Sequence, residues 1–123
     1  MKGQGMKIER ELMRGAGTTA VMQLLSHNEM YGYELVEKLA TQSVGVFEMG
    51  QSTLYPMLYN LEAKGLVQSR EKKADNGRKR RYYRLTAKGG QKLETDRKQW
   101  SSVIEGLTAL GITRQITPVA SLT

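Results

Sequence analysis

The chain has 123 residues, no cysteine, one histidine (His27) and a formal net charge of +7. That length suits one domain with a modest core. The missing cysteines exclude disulfides, thiolate nucleophiles and cysteine metal sites, and one histidine leaves little for metal ligation or general-base chemistry. No apolar run is long enough to span a bilayer, and "MKGQGMKIEREL" lacks the apolar stretch of a signal peptide, so the expectation is a cytoplasmic protein with no membrane partner.

A first helix is predicted from Ile8 to about Ser26, because Ile8, Leu12, Ala16, Ala20 and Leu24 recur four apart, flanked by Met13, Val21 and Leu25. Gly15 and Gly17 each cost roughly 1 kcal/mol in a helix interior. Either another backbone approaches closely there or the first turns fray. His27 reads as a helix-end residue. Tyr31 to Gln42 forms a second helix with Leu35, Val36 and Leu39 inward, and "SVGVFEMG" connects it to a third.

In the third helix Leu54, Met57, Leu58 and Leu61 want a core, whereas Gln51, Ser52, Thr53, Tyr55, Tyr59 and Asn60 offer hydroxyls, amides and polar-tipped aromatics on the other side. Pro56 is tolerated only near a first turn, so Ser52 or Thr53 is the expected N-cap, and Gly65 after Lys64 is the expected left-handed terminator.

The segment from Lys64 to Arg84 holds nine basic and two acidic residues, and the rest of the chain is neutral. That is an electrostatic footprint for a polyanion, although a solvated mobile loop has the same composition. The strand-like "LVQSRE" and "RRYYRLT" flank "KKADNGRK", which makes a β-hairpin with the basic run at its tip. On the second strand Arg81, Tyr83 and Leu85 share one face and Arg80, Tyr82 and Arg84 the other. Tyr83 reads as packing under the hairpin.

Helix, helix, helix, basic hairpin is the order of a winged helix-turn-helix, mostly α with a small β-hairpin (α+β). Its third helix lies in the major groove and its hairpin reaches phosphates. After Thr86, a plausible N-cap, a last helix carries Leu93, Trp100 and Leu107 seven apart, Val103 and Leu110 three further on, and Asp96 as the one polar intruder. That stripe needs the first helix or a second copy of the chain. The organisation expected is a DNA-binding domain over 1–86, a dimerisation helix over 87–111 and a disordered or draped tail over 112–123 with Pro118 and no clear period.

"YGYEL", "STLYPMLYNLEAKGLV" and "GRKRRYYRLTAKG" together resemble the PadR family of bacterial transcriptional regulators, over about Met6 to Leu110. The resemblance implies a winged-helix homodimer on a double-stranded DNA operator with inverted-repeat symmetry, and repression relieved by a small molecule. It implies phosphate contacts from Tyr31 and Tyr33, a recognition helix served by Ser52, Thr53, Tyr55 and Tyr59, and a wing of Arg78, Lys79, Arg80 and Arg81; Gln51 and Lys64, at the two ends of the third helix, are further candidate DNA contacts. The dimer would close through Leu93, Trp100, Val103, Ile104, Leu107 and Leu110. "RKQWSSVIEGL" is similar to the last-helix segment of multidrug-sensing members, in which a tryptophan from each subunit sandwiches a planar drug. Trp100 would then stack a small aromatic effector, with Asp96 favouring cations and Leu12 and Met13 as walls; otherwise Trp100 fills the dimer core. Gly17, where the family usually carries a bulky aliphatic residue, and the adjacent Gly89 and Gly90 depart from its pattern. No cofactor is expected. An effector-independent nucleic-acid-binding module is the main alternative. An enzyme is disfavoured by the lack of any carboxylate cluster or phosphate-cradling glycine loop.

Overall fold

A computed structural model of the protein describes residues 8–114. It divides into two compact units, one ending at Leu93 and one beginning at Glu94. The tail expected over 112–123 lies, from residue 115 onward, outside the described residues.

In the first unit, α1 (Arg10–Leu25), α2 (Gly32–Gln42) and α3 (Gln51–Ala63) are joined by an antiparallel sheet of β1 (Met30–Tyr31), β2 (Val67–Lys73) and β3 (Lys79–Leu85), in the order β1-β3-β2. The core unites Val21, Met22, Leu24 and Leu25 with Leu35 and Leu39, and with all four expected apolar residues of α3. Val67, Tyr83 and Leu93 close it from the sheet and from the start of α4 (Ala87–Ala109).

The soft middle of α1 has a different cause from either expectation. Gly17 is buried, and a Cβ there would lie 3.1 Å from the Met57 ε-methyl and 3.4 Å from that of Met49. Two methionine side chains, not a backbone, fill the place of a larger residue. Gly15 faces open space. At the other end of the stripe Leu12 is exposed rather than inward.

The start of α3 corrects the expected cap. The Gly50 carbonyl accepts from the amides of Thr53 (3.1 Å) and Leu54 (3.0 Å), so Gly50 is the N-cap and Ser52 and Thr53 lie within the helix. Pro56 therefore sits in the second turn. It forgoes only the bond to the Ser52 carbonyl, on the exposed side where water can serve instead. The far end follows expectation: Gly65 adopts φ +76°, and Leu66 N–H bonds Leu61 O at 2.9 Å.

Between α2 and α3, Gly45 N–H reaches Ala40 O (2.8 Å) and Val44 N–H reaches Thr41 O (3.3 Å). This is the helix-terminating turn that normally carries glycine at its left-handed position, yet Val44 occupies it at φ +53°. Ser43 Oγ accepts from Phe47 N–H (2.8 Å) and holds the turn.

The first strand of the hairpin runs further than expected and the second begins one residue earlier. Pairing runs from Val67↔Leu85 to Lys73↔Lys79, so Lys72, Lys73 and Lys79 belong to strands and only residues 74–78 turn. Gly77 at φ +84° and Asn76 Oδ1, which accepts from Arg78 N–H (3.0 Å), make that turn. The third strand, β1, was not expected; it pairs Met30 with Tyr83 and Tyr31 with Tyr82.

Thr86 caps α4 as expected, its Oγ1 accepting from Gly89 N–H at 3.0 Å. A Cβ on Gly89 would lie 2.1 Å from the Leu66 carbonyl oxygen, which explains one of the adjacent glycines; Gly90 faces open space.

Candidate nucleic-acid interface

One side of α3 is committed to the core, and Gln51, Ser52, Thr53, Tyr59 and Asn60 are exposed on the other. Tyr59 is the freest of the aromatics at 73% exposure. Tyr55 is different, because its phenol lies over Gly32 at the first turn of α2: a Cβ there would stand 2.1 Å from Tyr55 Oη. Tyr55 thus joins the two helices of the helix-turn-helix pair while part of its ring remains at the surface. Tyr33 is exposed at the start of α2, and Lys64 at the end of α3.

The wing presents two different faces. Gln68, Arg70 and Lys72 of β2 lie opposite Arg84, Tyr82 and Arg80 of β3, and Tyr31 of β1 continues that face. The Arg80 guanidinium sits 4.2 Å over the Tyr31 ring, and Lys72 Nζ sits 4.5 Å over Tyr82. The two tyrosines meet edge-on with centroids 5.4 Å apart. Arg84 donates to Gln68 Oε1 at 2.7 Å. On the opposite face Tyr83 is buried, as expected, and burial, with smaller effects of Tyr55 and Glu62, raises its hydroxyl pKa above the usual value. Arg81 of that face donates to Ser69 Oγ (3.1 Å), which donates to Glu62 Oε2 on α3 (2.7 Å). Arg78 and Lys79 are exposed at and beside the turn.

Glu29 is the member of this site that the sequence did not reveal. It immediately precedes β1, and its carboxylate accepts from Arg70 and from Lys72. Those bonds, Lys72 first and Arg70 second, hold its carboxyl below the usual carboxylate range. Only the pairing of a two-residue strand brings Glu29 to the wing, and so short a strand has no periodicity to detect.

A polar recognition helix beside a cationic hairpin is the arrangement of a winged-helix DNA reader, and residues 21–95 match the model of the transcriptional regulator PadR-like family. The chain belongs to that family. It is 36% identical over 89 residues to the transcriptional regulator Rv3488 of Mycobacterium tuberculosis, covering 72% of this chain and 79% of that one. A PadR-like transcriptional regulator from Bacillus cereus superposes with a TM-score of 0.74 at 27% identity, over 85% of this chain and 99% of that one. A PadR family regulator from Eggerthella lenta gives 0.66 at 34% identity, over 81% of each. The protein is thus a PadR-like transcriptional regulator, not an enzyme, of a family whose members bind DNA.

The residues expected at a dimer seam and an effector site fall into separate groups. Leu93 is 2% exposed within the core of a single chain, which leaves it no surface for a partner and removes it from the expected seam. In the unit beginning at Glu94, Val103, Ile104 and Leu110 are exposed, Trp100 and Leu107 are half-buried, and Asp96 is buried. On α1, Leu12 is exposed whereas Met13 leans on the core. His27, at the end of α1, is exposed and lies 3.4 Å from Gln23 Nε2. Among the described residues no group of three or more metal-ligating side chains gathers, and no helix is long and apolar enough to cross a membrane.

Proposed function

We propose that this PadR-like protein is a cytoplasmic repressor that binds an inverted-repeat operator as a homodimer and releases it when a small planar aromatic molecule binds. The observation that carries the DNA-reading part is the division of α3 into a buried apolar side and an exposed side of Gln51, Ser52, Thr53, Tyr59 and Asn60, next to a hairpin rich in cations. Those side chains reach base edges in the major groove, Tyr31 and Tyr33 serve phosphates, and Arg78, Lys79, Arg80 and Arg81 of the wing, with Lys64 at the end of α3, neutralise the flanking backbone. Tyr55 contributes chiefly by fixing α3 against α2.

The exposed Val103, Ile104 and Leu110 support self-association, since a solvated apolar helix face is stable only when covered. In a two-fold dimer of last helices, Trp100 from each copy would face its mate and stack a flat ligand between them.

Selection of bound fragments from genomic DNA, followed by binding to the recovered site and to random duplex across a range of salt, tests the reading. The expected site is an inverted repeat with half-sites about one helical turn apart. Arg80→Ala with Arg81→Ala should lower the salt slope by about 0.9 per lost phosphate contact. Equal affinity for random DNA, or an unchanged slope, refutes it. Saturable quenching of Trp100 fluorescence by planar dyes, with loss of operator binding, is expected for the effector step; dyes that release DNA equally from Trp100→Ala refute stacking there.

A further inference from the structure

In sequence the segment from Lys64 to Arg84 carries nine cations. The fold lowers that number. Glu29, 41 residues before Arg70 and 43 before Lys72, is drawn onto the outer face of the hairpin by β1. Arg70 Nη2 donates to its Oε2 at 3.1 Å and to its Oε1 at 3.3 Å, and Lys72 Nζ donates to Oε2 at 2.5 Å. The Glu29 side chain is 22% exposed, against 62% for Arg70 and 40% for Lys72. A sheltered anion thus sits between two accessible cations, with two oxygens shared as a backbone phosphate would share them.

We propose that Glu29 is an internal phosphate surrogate that occupies Arg70 and Lys72 and lowers the affinity of the wing for DNA of any sequence. The inference rests on the reading of the wing as a phosphate-contacting element.

The physical argument is one of counterions. A protein cation gains affinity for a duplex by displacing a condensed counterion from a phosphate. A cation already neutralised by a carboxylate can do so only by leaving that carboxylate unpaired beside a polyanion, where it is repelled. One carboxylate cancels one of the two charges, so Arg70 and Lys72 together offer the duplex a single unit of charge rather than two. Arg80 lies over a neutral Tyr31 ring and keeps its full charge for the same task. A wing on which every cation were available would hold all DNA more tightly, operator and random sequence alike, because phosphate contacts carry no sequence information. Exposed ion pairs contribute only about 0–1 kcal/mol each to stability, so the carboxylate is better accounted for by what it does to charge than by what it adds to the fold.

The test is binding of the full-length protein to a fluorescent random-sequence duplex and to its operator, by anisotropy across a range of KCl concentrations, for the wild type and Glu29→Gln. The glutamine keeps the shape and removes the charge. On random DNA the log-log salt slope is expected to steepen by about 0.9, the one unit of charge that the carboxylate had cancelled. Affinity should rise on random DNA and on the operator alike. Adding Arg70→Gln and Lys72→Gln to Glu29→Gln should abolish the increase. The same two substitutions alone, in a protein that retains Glu29, should lower the slope by no more than about 0.9 in total, the one unit of charge that Glu29 leaves uncancelled. This arm does not depend on how Glu29→Gln folds, and a fall of about 1.8 there, as for two free cations, overturns the proposal. An unchanged slope in a folded Glu29→Gln protein, or weaker binding to both duplexes with a lowered melting temperature, also overturns it and makes Glu29 a structural strut. If instead replacing Arg80 and Arg81 leaves the wild-type slope untouched, the wing reading itself has failed, a separate result.

Discussion

Gly32→Ala is the substitution with the sharpest expected consequence. Gly32 is buried at the first turn of α2, and the added methyl would stand 2.1 Å from Tyr55 Oη, 2.7 Å from its Cζ and 3.1 Å from its Cε1, where ordinary contact begins at 3.4 Å. The phenol must withdraw by roughly 1 Å or more, because interiors at this density leave no slack. Tyr55 is 41% exposed, so its ring can swing toward solvent without parting the helices. Overpacking costs of about 1–3 kcal/mol are offset by up to about 1 kcal/mol from the better helix propensity of alanine. The net expectation is a loss of about 1 kcal/mol, which for a chain of this size lowers the melting temperature by about 3–5 °C. Operator binding should suffer more, by about 1–3 kcal/mol, since α3 loses the contact that sets its angle to α2.

Scanning calorimetry and anisotropy on operator and random duplex measure the two effects, and the choice of partner substitution tests the cause. Tyr55→Phe removes only Oη and leaves Cζ in the way, so it should not rescue Gly32→Ala. With Tyr55→Ala the clash disappears, and adding Gly32→Ala to it should change the melting temperature little. Simple additivity of Gly32→Ala and Tyr55→Ala, or wild-type operator affinity in Gly32→Ala, would refute the clamp.

Val44→Gly should stabilise the fold by about 0.5–1 kcal/mol, because relief of the left-handed backbone, worth about 1–2 kcal/mol, outweighs the extra chain entropy of glycine; a lower melting temperature counts against strain at φ +53°. Ile104→Asp puts a charge on an exposed position and should leave each chain folded while converting dimer to monomer in sedimentation; a well-folded dimer rules out that face as the seam. Tyr83 has its hydroxyl pKa raised above 10.0 by burial, so its contribution to stability is full below pH 10 and is lost as pH climbs through the folded-state value. Alkaline melting curves of Tyr83→Phe should lack that part of the decline.

How much of this was legible in the sequence depends on how far apart in the chain the partners stand. Elements held by local rules were readable: the apolar face of α3, Gly65 as its terminator, Thr86 as the cap of α4, and the alternation that buries Tyr83. Each follows from periodicity, capping or pleat within about ten residues. The start of α3 departs from the expectation because the bond that Pro56 forgoes lies on the exposed side, where its absence is tolerated, and exposure depends on packing that the local sequence does not carry. Leu93 was assigned to a seam because a heptad stripe cannot say which of its members the monomer core has already claimed. Gly17 needed the positions of Met49 and Met57, which come from other elements.

The least legible part of the site is also its most connected. Three successive positions, Tyr31, Gly32 and Tyr33, each face a different neighbourhood: Tyr31 carries the Arg80 guanidinium and the edge of Tyr82, Gly32 receives Tyr55, and Tyr33 stands exposed. One residue earlier Met30 pairs with Tyr83, and one before that Glu29 holds Arg70 and Lys72. The start of α2 is therefore attached to the wing through β1 and to the recognition helix through Gly32. Substitutions there act on α3 and the wing together, whereas a change at Thr53 or at Arg78 touches only one. Where two mutations are compared, those within residues 29–32 should couple to both α3 and wing variants, while Thr53→Ala and Arg78→Ala should add independently, because they share no partner through which to interact.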